Sequence, residues 1–246
     1  MKITVITAVY NRVNTIAQAL QSVEAQTYAN TEHLVIDGAS SDGTLQLLSS
    51  NLNSLVRLVS EPDQGIYDAL NKGLALADGD IVGMMHSDDF YADNNVLESI
   101  AAAFEDPEID AVYGDLDYVA KDNPGRIIRH WKSGEYSPSQ LSRGWMPPHP
   151  TLYLRRSVIE RWGGFDTQYC IAADYDAILR YFGQGRIRAA YIPRVLVKMR
   201  VGGESNRSLS RILLKTTEDY KALRRNGVGG IRTLMLKNFG KLGQFF

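Results

Sequence analysis

Strand-like and helix-like segments alternate along the first half of this chain, and no other feature restricts its fold as strongly. Short runs rich in Val and Ile predict strands, and apolar residues at helical spacing between them predict helices. This order implies an α/β fold with a mostly parallel central sheet and helices on both faces. The predicted strands span residues 3–9, 32–37, 55–60 and 81–85, and the predicted helices span residues 15–26, 41–50, 66–77 and 95–104.

Polar motifs follow each of the four predicted strands. In sheets of this kind, ligands bind outside the carboxyl ends of the strands. We therefore expect the motifs to gather at one edge of the sheet and to form a binding site there. They are Tyr10-Asn11-Arg12, Asp37-Gly38, Glu61-Pro62-Asp63 and Ser87-Asp88-Asp89.

The pair Asp88-Asp89 indicates a metal site. Two adjacent carboxylates at the end of a buried strand repel each other and are costly to desolvate. A divalent cation relieves both problems, and Mg²⁺ or Mn²⁺ prefers oxygen ligands that it shares with substrate phosphates. The alternative for these residues alone is an Asp-rich turn, since Asp is a common turn residue.

The alternation stops after a fifth predicted strand at residues 110–118. Residues 121–150 are rich in Pro and Gly, which predicts a long loop of the lid or binding type. Beyond this loop we predict strands at 151–154 and 192–199, a helix at 175–182 with Asp174 at its start, and two C-terminal helices that begin near Ser208 and are separated by residues 226–230.

Charge is distributed unevenly along the 246 residues. From Arg200 onward there are ten basic and three acidic residues, a net charge of +7, although the whole chain carries −1. A basic tail indicates an anionic partner. Nucleic acid is not expected, because no zinc-knuckle spacing or basic-aromatic interleaving is present. Apolar residues within the tail suit a helix lying in a membrane interface, or one that packs on the chain or on a second copy in a homodimer; they are Leu234, Leu236, Phe239, Leu242, Phe245 and Phe246.

The sequence predicts a cytoplasmic protein that is at most peripheral at the inner face of the plasma membrane. The N-terminus lacks the layout of a signal peptide, and no apolar stretch approaches the roughly 20 residues that span a bilayer. The single cysteine, Cys170, excludes an internal disulfide.

Five motifs, in order, resemble those of family 2 glycosyltransferases. They lie between residue 3 and about residue 205, and one of them resembles a branch that builds bacterial surface polysaccharides, including colanic-acid-type enzymes. The motifs are the segments 7–12, 35–44, 60–73 (the branch-like one), 77–80 and 87–89.

The resemblance implies a GT-A-type nucleotide-sugar fold. Residues 1–205 would form the catalytic domain, with a nucleotide-binding half to about residue 120 and an acceptor half after it, and residues 206–246 a basic helical extension. Asp89 would ligate the metal, and Asp88 would contact the ribose or the sugar. The other implied nucleotide contacts are Asp37 to the base, Thr7, Val9, Tyr10 and Arg12 around it, and Lys72 near the nucleotide or diphosphate.

On the acceptor side, the resemblance implies that Asp174 is the general base. Ala173 replaces the Glu that usually precedes it, and an N-cap role is the alternative for Asp174. His149 could contact the acceptor or the metal, or be structural. The segment from Arg200 to Ser205 contains glycines that would let backbone N–H groups approach a phosphate. His86 stands where relatives often have Asn. Because this side chain next to the Asp pair is changed, the resemblance does not identify the donor sugar.

Together these features predict an inverting glycosyltransferase that uses Mg²⁺ or Mn²⁺. It would move a sugar from a nucleotide-diphosphate sugar, preferably UDP-linked, to a saccharide or lipid-linked saccharide in surface polysaccharide synthesis. A sugar nucleotidyltransferase is one alternative, but it needs a Gly-rich basic loop where this chain has Tyr10-Asn11-Arg12-Val13. A silent nucleotide-sugar-binding protein is another, although loss of activity would be expected to erode Asp89 or Asp174. A dehydrogenase is not expected, because it would need the motif G-x-G-x-x-G after the first strand and this chain lacks it there.

Overall fold

The computed structural model describes residues 1–51, 53, 55–202 and 208–240. In chain order the elements are β1 (Ile3–Val9), α1 (Ile16–Glu24), β2 (Thr31–Asp37), α2 (Thr44–Ser50), β3 (Val56–Ser60), α3 (Ile66–Leu76), β4 (Ile81–Met84), β5 (Phe90–Tyr91), α4 (Val96–Ala103), β6 (Ala111–Val119), β7 (Ile127–Trp131), α5 (Pro138–Leu141), β8 (Tyr153–Arg155), α6 (Arg156–Trp162), α7 (Ala173–Ile178), β9 (Ala189–Arg200), α8 (Leu209–Arg225) and α9 (Ile231–Gly240). A 3₁₀ turn at His149–Thr151 precedes β8, and a π-helical turn at Leu179–Gln184 continues α7.

The strands of the described residues form one sheet in the order β3-β2-β1-β4-β8-β6-β9-β5, with β7 paired to β6. The first four strands in this order are parallel, as predicted. β8 is antiparallel to both β4 and β6, whereas β6 and β9 are parallel. The sheet is therefore mixed, and its run of four adjacent parallel strands comes from the N-terminal half of the chain.

Strand β1 is buried on both sides because helices cover both faces of the sheet. Ile3, Val5 and Val9 pack into one core cluster, together with the apolar faces of α1 and α4. Ile6 and Ala8 point the other way, into a cluster that includes residues of α3. This alternation with a period of two residues is the normal geometry of a strand.

The structure corrects four details of the sequence prediction. The region 121–150 is not wholly loop, because β7 and α5 lie within it. The short strand β5 and the helix α6 were not predicted, since both are too short for a periodic signal. α7 begins at Ala173 with Ala172 as its N-cap, so Asp174 lies inside the first turn and is not the capping residue.

The two C-terminal helices pack against α7 and its neighbours. Ala222, Leu223 and Leu234 are buried in the same cluster as α7. α9 lies so close to Gly144 that a Cβ there would come 2.6 Å from the backbone of Lys237. Lys237 itself is buried, and its ammonium lies 2.8 Å from Asp219. Leu234 and Lys237 therefore do not face a membrane, and for Leu234 the alternative of packing on the chain is the one that holds.

A buried polar pair joins β1 to β2. The Thr7 hydroxyl lies 2.9 Å from Nε2 of His33, and both side chains are fully buried. Burial lowers the pKa of His33 from 6.5 to about 3, because the charged imidazolium has no water around it. His33 is therefore neutral in the folded protein near neutral pH.

We predict that His33 makes folding sensitive to mild acid. The unfolded chain binds a proton at His33 below about pH 6.5, whereas the folded chain does so only near pH 3, so stability falls as the pH falls through this range. Between pH 7 and about pH 5, the wild type should lose about 2 kcal/mol more unfolding free energy than the variant His33→Gln. Urea unfolding of both proteins at the two pH values measures this, and equal losses would contradict it.

Candidate active site

A cavity of about 520 Å³ opens at the carboxyl ends of the parallel strands. It brings together six of the residues that the sequence singled out, from both halves of the domain. Apolar side chains of α3, β4, β8 and α7 form much of the remaining wall, and Arg129, Lys215, Asp219 and Lys237 add charged groups to it. The six predicted residues are Arg12, Asp88, Asp89, His149, Asp174 and Arg200.

Arg200 holds the Asp88-Asp89 segment at one end of this cavity. Its backbone N–H donates to Oδ1 of Asp89 at 3.1 Å, and its guanidinium donates to the carbonyl of Asp88 and to the side chain of Gln18. The same guanidinium lies 5.2 Å from the ring centroid of Phe90. Arg200 is thus buried beside the Asp pair, where its charge offsets part of theirs.

The carboxyl group of Asp89 fits a divalent cation. It is 1% exposed, and burial together with the neighbouring Asp88 raises its pKa well above the usual range. A cation would relieve this cost. Within the described ranges, no group of three or more His, Cys, Asp or Glu side chains is arranged to hold a metal. The residues that could hold a cation here are Asp89 and Asp88, and Mg²⁺ is commonly bound by one or two carboxylates together with substrate phosphates.

Asp37 ends β2 next to the loops that follow β1 and β3. Its Oδ2 accepts hydrogen bonds from the Ser60 hydroxyl at 2.7 Å and from the Ser40 N–H at 3.1 Å. Oδ1 is buried and has no hydrogen-bond partner among the described residues. A Cβ at Gly38 would meet the Asp63 carboxylate at 2.3 Å, so only glycine lets these loops approach so closely.

Asp37 and four other predicted nucleotide contacts lie outside the cavity wall. Thr7 and Val9 are buried within the sheet, whereas Tyr10 is 57% exposed. The Lys72 ammonium lies 2.9 Å from Glu61 and 2.7 Å from the carbonyl of Pro62, so neighbouring acceptors already engage its charge. Ser205 lies outside the described residues. The roles of these residues stay predictions.

Asp174 is held at the other end of the cavity by two side chains. Nδ1 of His149 lies 3.1 Å from its Oδ2, and the Tyr67 hydroxyl lies 3.2 Å from its Oδ1. That hydroxyl is closer, at 2.6 Å, to the carbonyl of Ile171, and its single proton can serve only one of the two acceptors. Oδ1 of Asp174 therefore keeps capacity to accept a hydrogen bond from a substrate.

His149 is fixed in turn by His86. Their Nε2 atoms are 2.9 Å apart, and the rings meet edge to face. Burial lowers the pKa of both residues, that of His86 to about 4, so both are neutral near neutral pH. Since Nδ1–H of His149 donates to Asp174, its Nε2 must accept from Nε2–H of His86.

Sequence reasoning identified Asp174 and His149 separately but did not pair them. Tyr67 was missed as a site residue, because a tyrosine in a helical pattern looks like a packing residue. Two residues after Asp174, Asp176 forms an ion pair with Arg180, whose Nη2 lies 3.2 Å from its Oδ2.

The sequence pattern of glycosyl transferase family 2 matches residues 4–172. An uncharacterized glycosyltransferase of Mycobacterium tuberculosis is 31% identical over 187 residues, which cover 72% of this chain and 68% of that protein. A PGL/p-HBAD biosynthesis glycosyltransferase of Mycobacterium bovis is 28% identical over 205 residues, or 80% and 76% of the two chains. The chain belongs to glycosyl transferase family 2 and is a glycosyltransferase.

Solved structures share the fold at low sequence identity. S. aureus TarS 1–349 in complex with UDP-GlcNAc has a TM-score of 0.70 at 20% identity, covering 93% of this chain and 66% of that chain. In another TarS structure the match spans 39% of that chain. The mannosyltransferase PcManGT from Pyrobaculum calidifontis, in complex with GDP-Man and Mn²⁺, has a TM-score of 0.70 at 22% identity. The match covers 99% of this chain and 70% of that chain. These likenesses confirm the predicted GT-A-type fold.

Proposed function

We propose that the protein is an inverting, divalent-metal-dependent glycosyltransferase. It moves a sugar from a nucleotide-diphosphate sugar, UDP-linked by preference, to a saccharide or lipid-linked saccharide. The observation that carries this proposal is that Asp88-Asp89 and Asp174 line one cavity, so a diphosphate site and a base face the same substrate. The complexes of the two structural neighbours with UDP-GlcNAc and with GDP-Man and Mn²⁺ support a nucleotide-sugar donor.

Asp174 is the general base of the proposed reaction. It takes the proton of an acceptor hydroxyl while that oxygen bonds to the anomeric carbon of the donor sugar. The bond between this carbon and the diphosphate oxygen breaks, and the diphosphate leaves with the electron pair. Attack opposite the leaving group inverts the anomeric configuration. A positioned base of this kind typically contributes about 10²–10⁴-fold to the rate.

The remaining site residues orient these groups. Asp89, next to Asp88, would hold the cation, which when bound supplies charge stabilisation to the leaving diphosphate. Asp37 has an unpaired oxygen that suits an N–H of the nucleotide base. His149 holds one oxygen of Asp174 and leaves the other for the acceptor.

We predict that Asp89→Ala removes the Mn²⁺-dependent part of UDP binding, because an anionic ligand of the cation is lost. Calorimetric titration of UDP with and without Mn²⁺ measures this, and chelation of the metal should reduce the wild type to the same affinity. Asp122→Ala, at an exposed carboxylate, is the matched control and should bind like the wild type. Unchanged affinity in Asp89→Ala would exclude Asp89 from the metal site.

We predict that Asp174→Asn leaves UDP affinity nearly intact and lowers turnover by at least about 10²-fold, since a base is lost. The amide oxygen can still accept from His149, so folding should survive. Steady-state kinetics of UDP release tests this. As a control, Asp176→Asn on the same helix breaks the pair with Arg180 and should lower stability without such a kinetic loss. Turnover within a few-fold of the wild type would point to His149 as the base.

The C-terminal helices support a peripheral membrane location at an anionic lipid face. Among the described residues no helix is both long and apolar enough to cross a membrane. Basic residues near an anionic surface are each worth roughly 1 kcal/mol, and exposed apolar side chains can insert between lipids. The exposed apolar residues of α8 and α9 are Ile212 (45%), Leu213 (69%), Leu214 (37%), Ile231 (60%), Met235 (55%) and Leu236 (41%). Leu242, Phe245 and Phe246 lie outside the described residues, and placement at the inner face of the plasma membrane stays a prediction.

We predict that the protein sediments with vesicles that contain phosphatidylglycerol and less with phosphatidylcholine alone. High salt should release it, because salt screens surface charge. Leu213→Glu should weaken the attachment, whereas Ile127→Glu, at an exposed isoleucine of β7, should not. If no lipid-dependent sedimentation occurs at low salt, the tail is a packing or dimerisation element.

A further inference from the structure

The segment that leads into α7 is held by a residue of the C-terminal helix α8. The carboxylate of Glu218 accepts three backbone hydrogen bonds, from Cys170 at 2.9 Å, Ile171 at 2.8 Å and Ala172 at 3.0 Å. Glu218 is only 5% exposed. Hydrogen bonds from backbone N–H groups to a carboxylate are among the stronger ones in proteins, so this clamp fixes three successive residues.

The clamped segment ends two residues before Asp174. Ala172 is the N-cap of α7, and Asp174 lies in the first turn of that helix. The Tyr67 hydroxyl donates to the carbonyl of Ile171, so α3 holds the same segment from its other side. The direction in which Asp174 projects is therefore set by α3 and α8 together.

Glu218 lies outside the part of the chain that matches the family pattern, which ends at residue 172. A buried carboxylate is costly unless its oxygens accept hydrogen bonds, and here both oxygens accept bonds from the segment before the base. The same residue thus links the C-terminal extension to the reacting end of the cavity.

We propose that Glu218 is a positioning residue for the general base, and that the C-terminal extension is needed for catalysis through this contact. The proposal rests on the proposed role of Asp174. Glu218 does not line the substrate cavity, whereas the segment that it holds, residues 170–172, does, and this segment leads directly to Asp174.

The test is a double-mutant cycle between Glu218→Gln and Asp174→Asn. The probe reaction is Mn²⁺-dependent hydrolysis of UDP-glucose and of UDP-N-acetylglucosamine, in which water replaces the acceptor. Glutamine offers one acceptor oxygen where glutamate offers two, so the clamp loosens. In Glu218→Gln we expect turnover to fall at least about 10-fold, whereas the affinity for UDP stays within about twofold of the wild type. This loss of turnover is smaller than the loss that follows removal of the base itself.

In the Asp174→Asn background, Glu218→Gln should cause no further loss, because residues that act as a unit are not additive. A merely structural role would lower turnover by the same factor in both backgrounds, and that result would overturn the proposal. The control is Thr233→Val, which removes a bond from α9 to the carbonyl of Ser142 and should lower stability while turnover per folded molecule is retained.

A second measurement covers variants that fold poorly and separates this proposal from the proposed function. Hydrogen exchange of the amides of residues 170–172 should become faster in Glu218→Gln and in Glu218→Asp, and stay at the wild-type rate in Thr233→Val. Unchanged exchange would overturn the clamp. If Asp174→Asn keeps the wild-type turnover but exchange responds to Glu218, the proposed role of Asp174 fails while the clamp stands.

Discussion

Parallel pairing of β1 with its two neighbours is the constraint on which the site depends. β1 is in register with β2 through Val9 and Asp37, and β4 lies on its other side. Because all these strands run in the same direction, the loops that follow them emerge at one edge of the sheet. The Asp37 turn, the Asp88-Asp89 pair and Arg12 are brought together by backbone hydrogen bonds that involve none of their side chains.

The charges of the site are balanced by neighbours that differ at its two ends. At the Asp88-Asp89 end, Arg200 from β9 supplies a buried positive charge, yet burial still raises the pKa of Asp89. A cation shared with a diphosphate suits that end. At the other end, Nδ1–H of neutral His149 donates to Asp174, the Tyr67 hydroxyl lies 3.2 Å away, and the positive charge of Lys237 interacts with the same carboxylate.

The C-terminal helices have two different surfaces. Their inner surface is part of the domain, since it contributes Leu223 and Leu234 to the core and the buried pair of Asp219 and Lys237. Their outer surface carries exposed apolar and basic side chains. In the two proposals above, a membrane would contact the outer surface of these helices and the Asp174 segment contacts their inner surface. The same extension would then both attach the enzyme to the membrane and position its base.

The sequence by itself determined the parallel half of the sheet and the edge at which ligands bind. Regular alternation of strands and helices is a local signal, and the carboxyl ends of parallel strands must meet. It also pointed to Asp89, Asp174, His149 and Arg200, which the structure places around one cavity. The same local signal failed for β5, β7 and α6, which are short and depend on pairing or packing with distant elements.

Only the tertiary structure decided which of these side chains work together. The pairing of Asp174 with His149, and the contacts of Glu218 with residues 170–172, join positions that are far apart in the chain. Burial of Lys237 was also beyond the sequence pattern, which favours lysine at a surface. Contacts of this kind depend on how helices pack against the sheet. A local sequence pattern predicts the structure of its own segment, but it does not identify the distant residues that folding brings into contact with that segment.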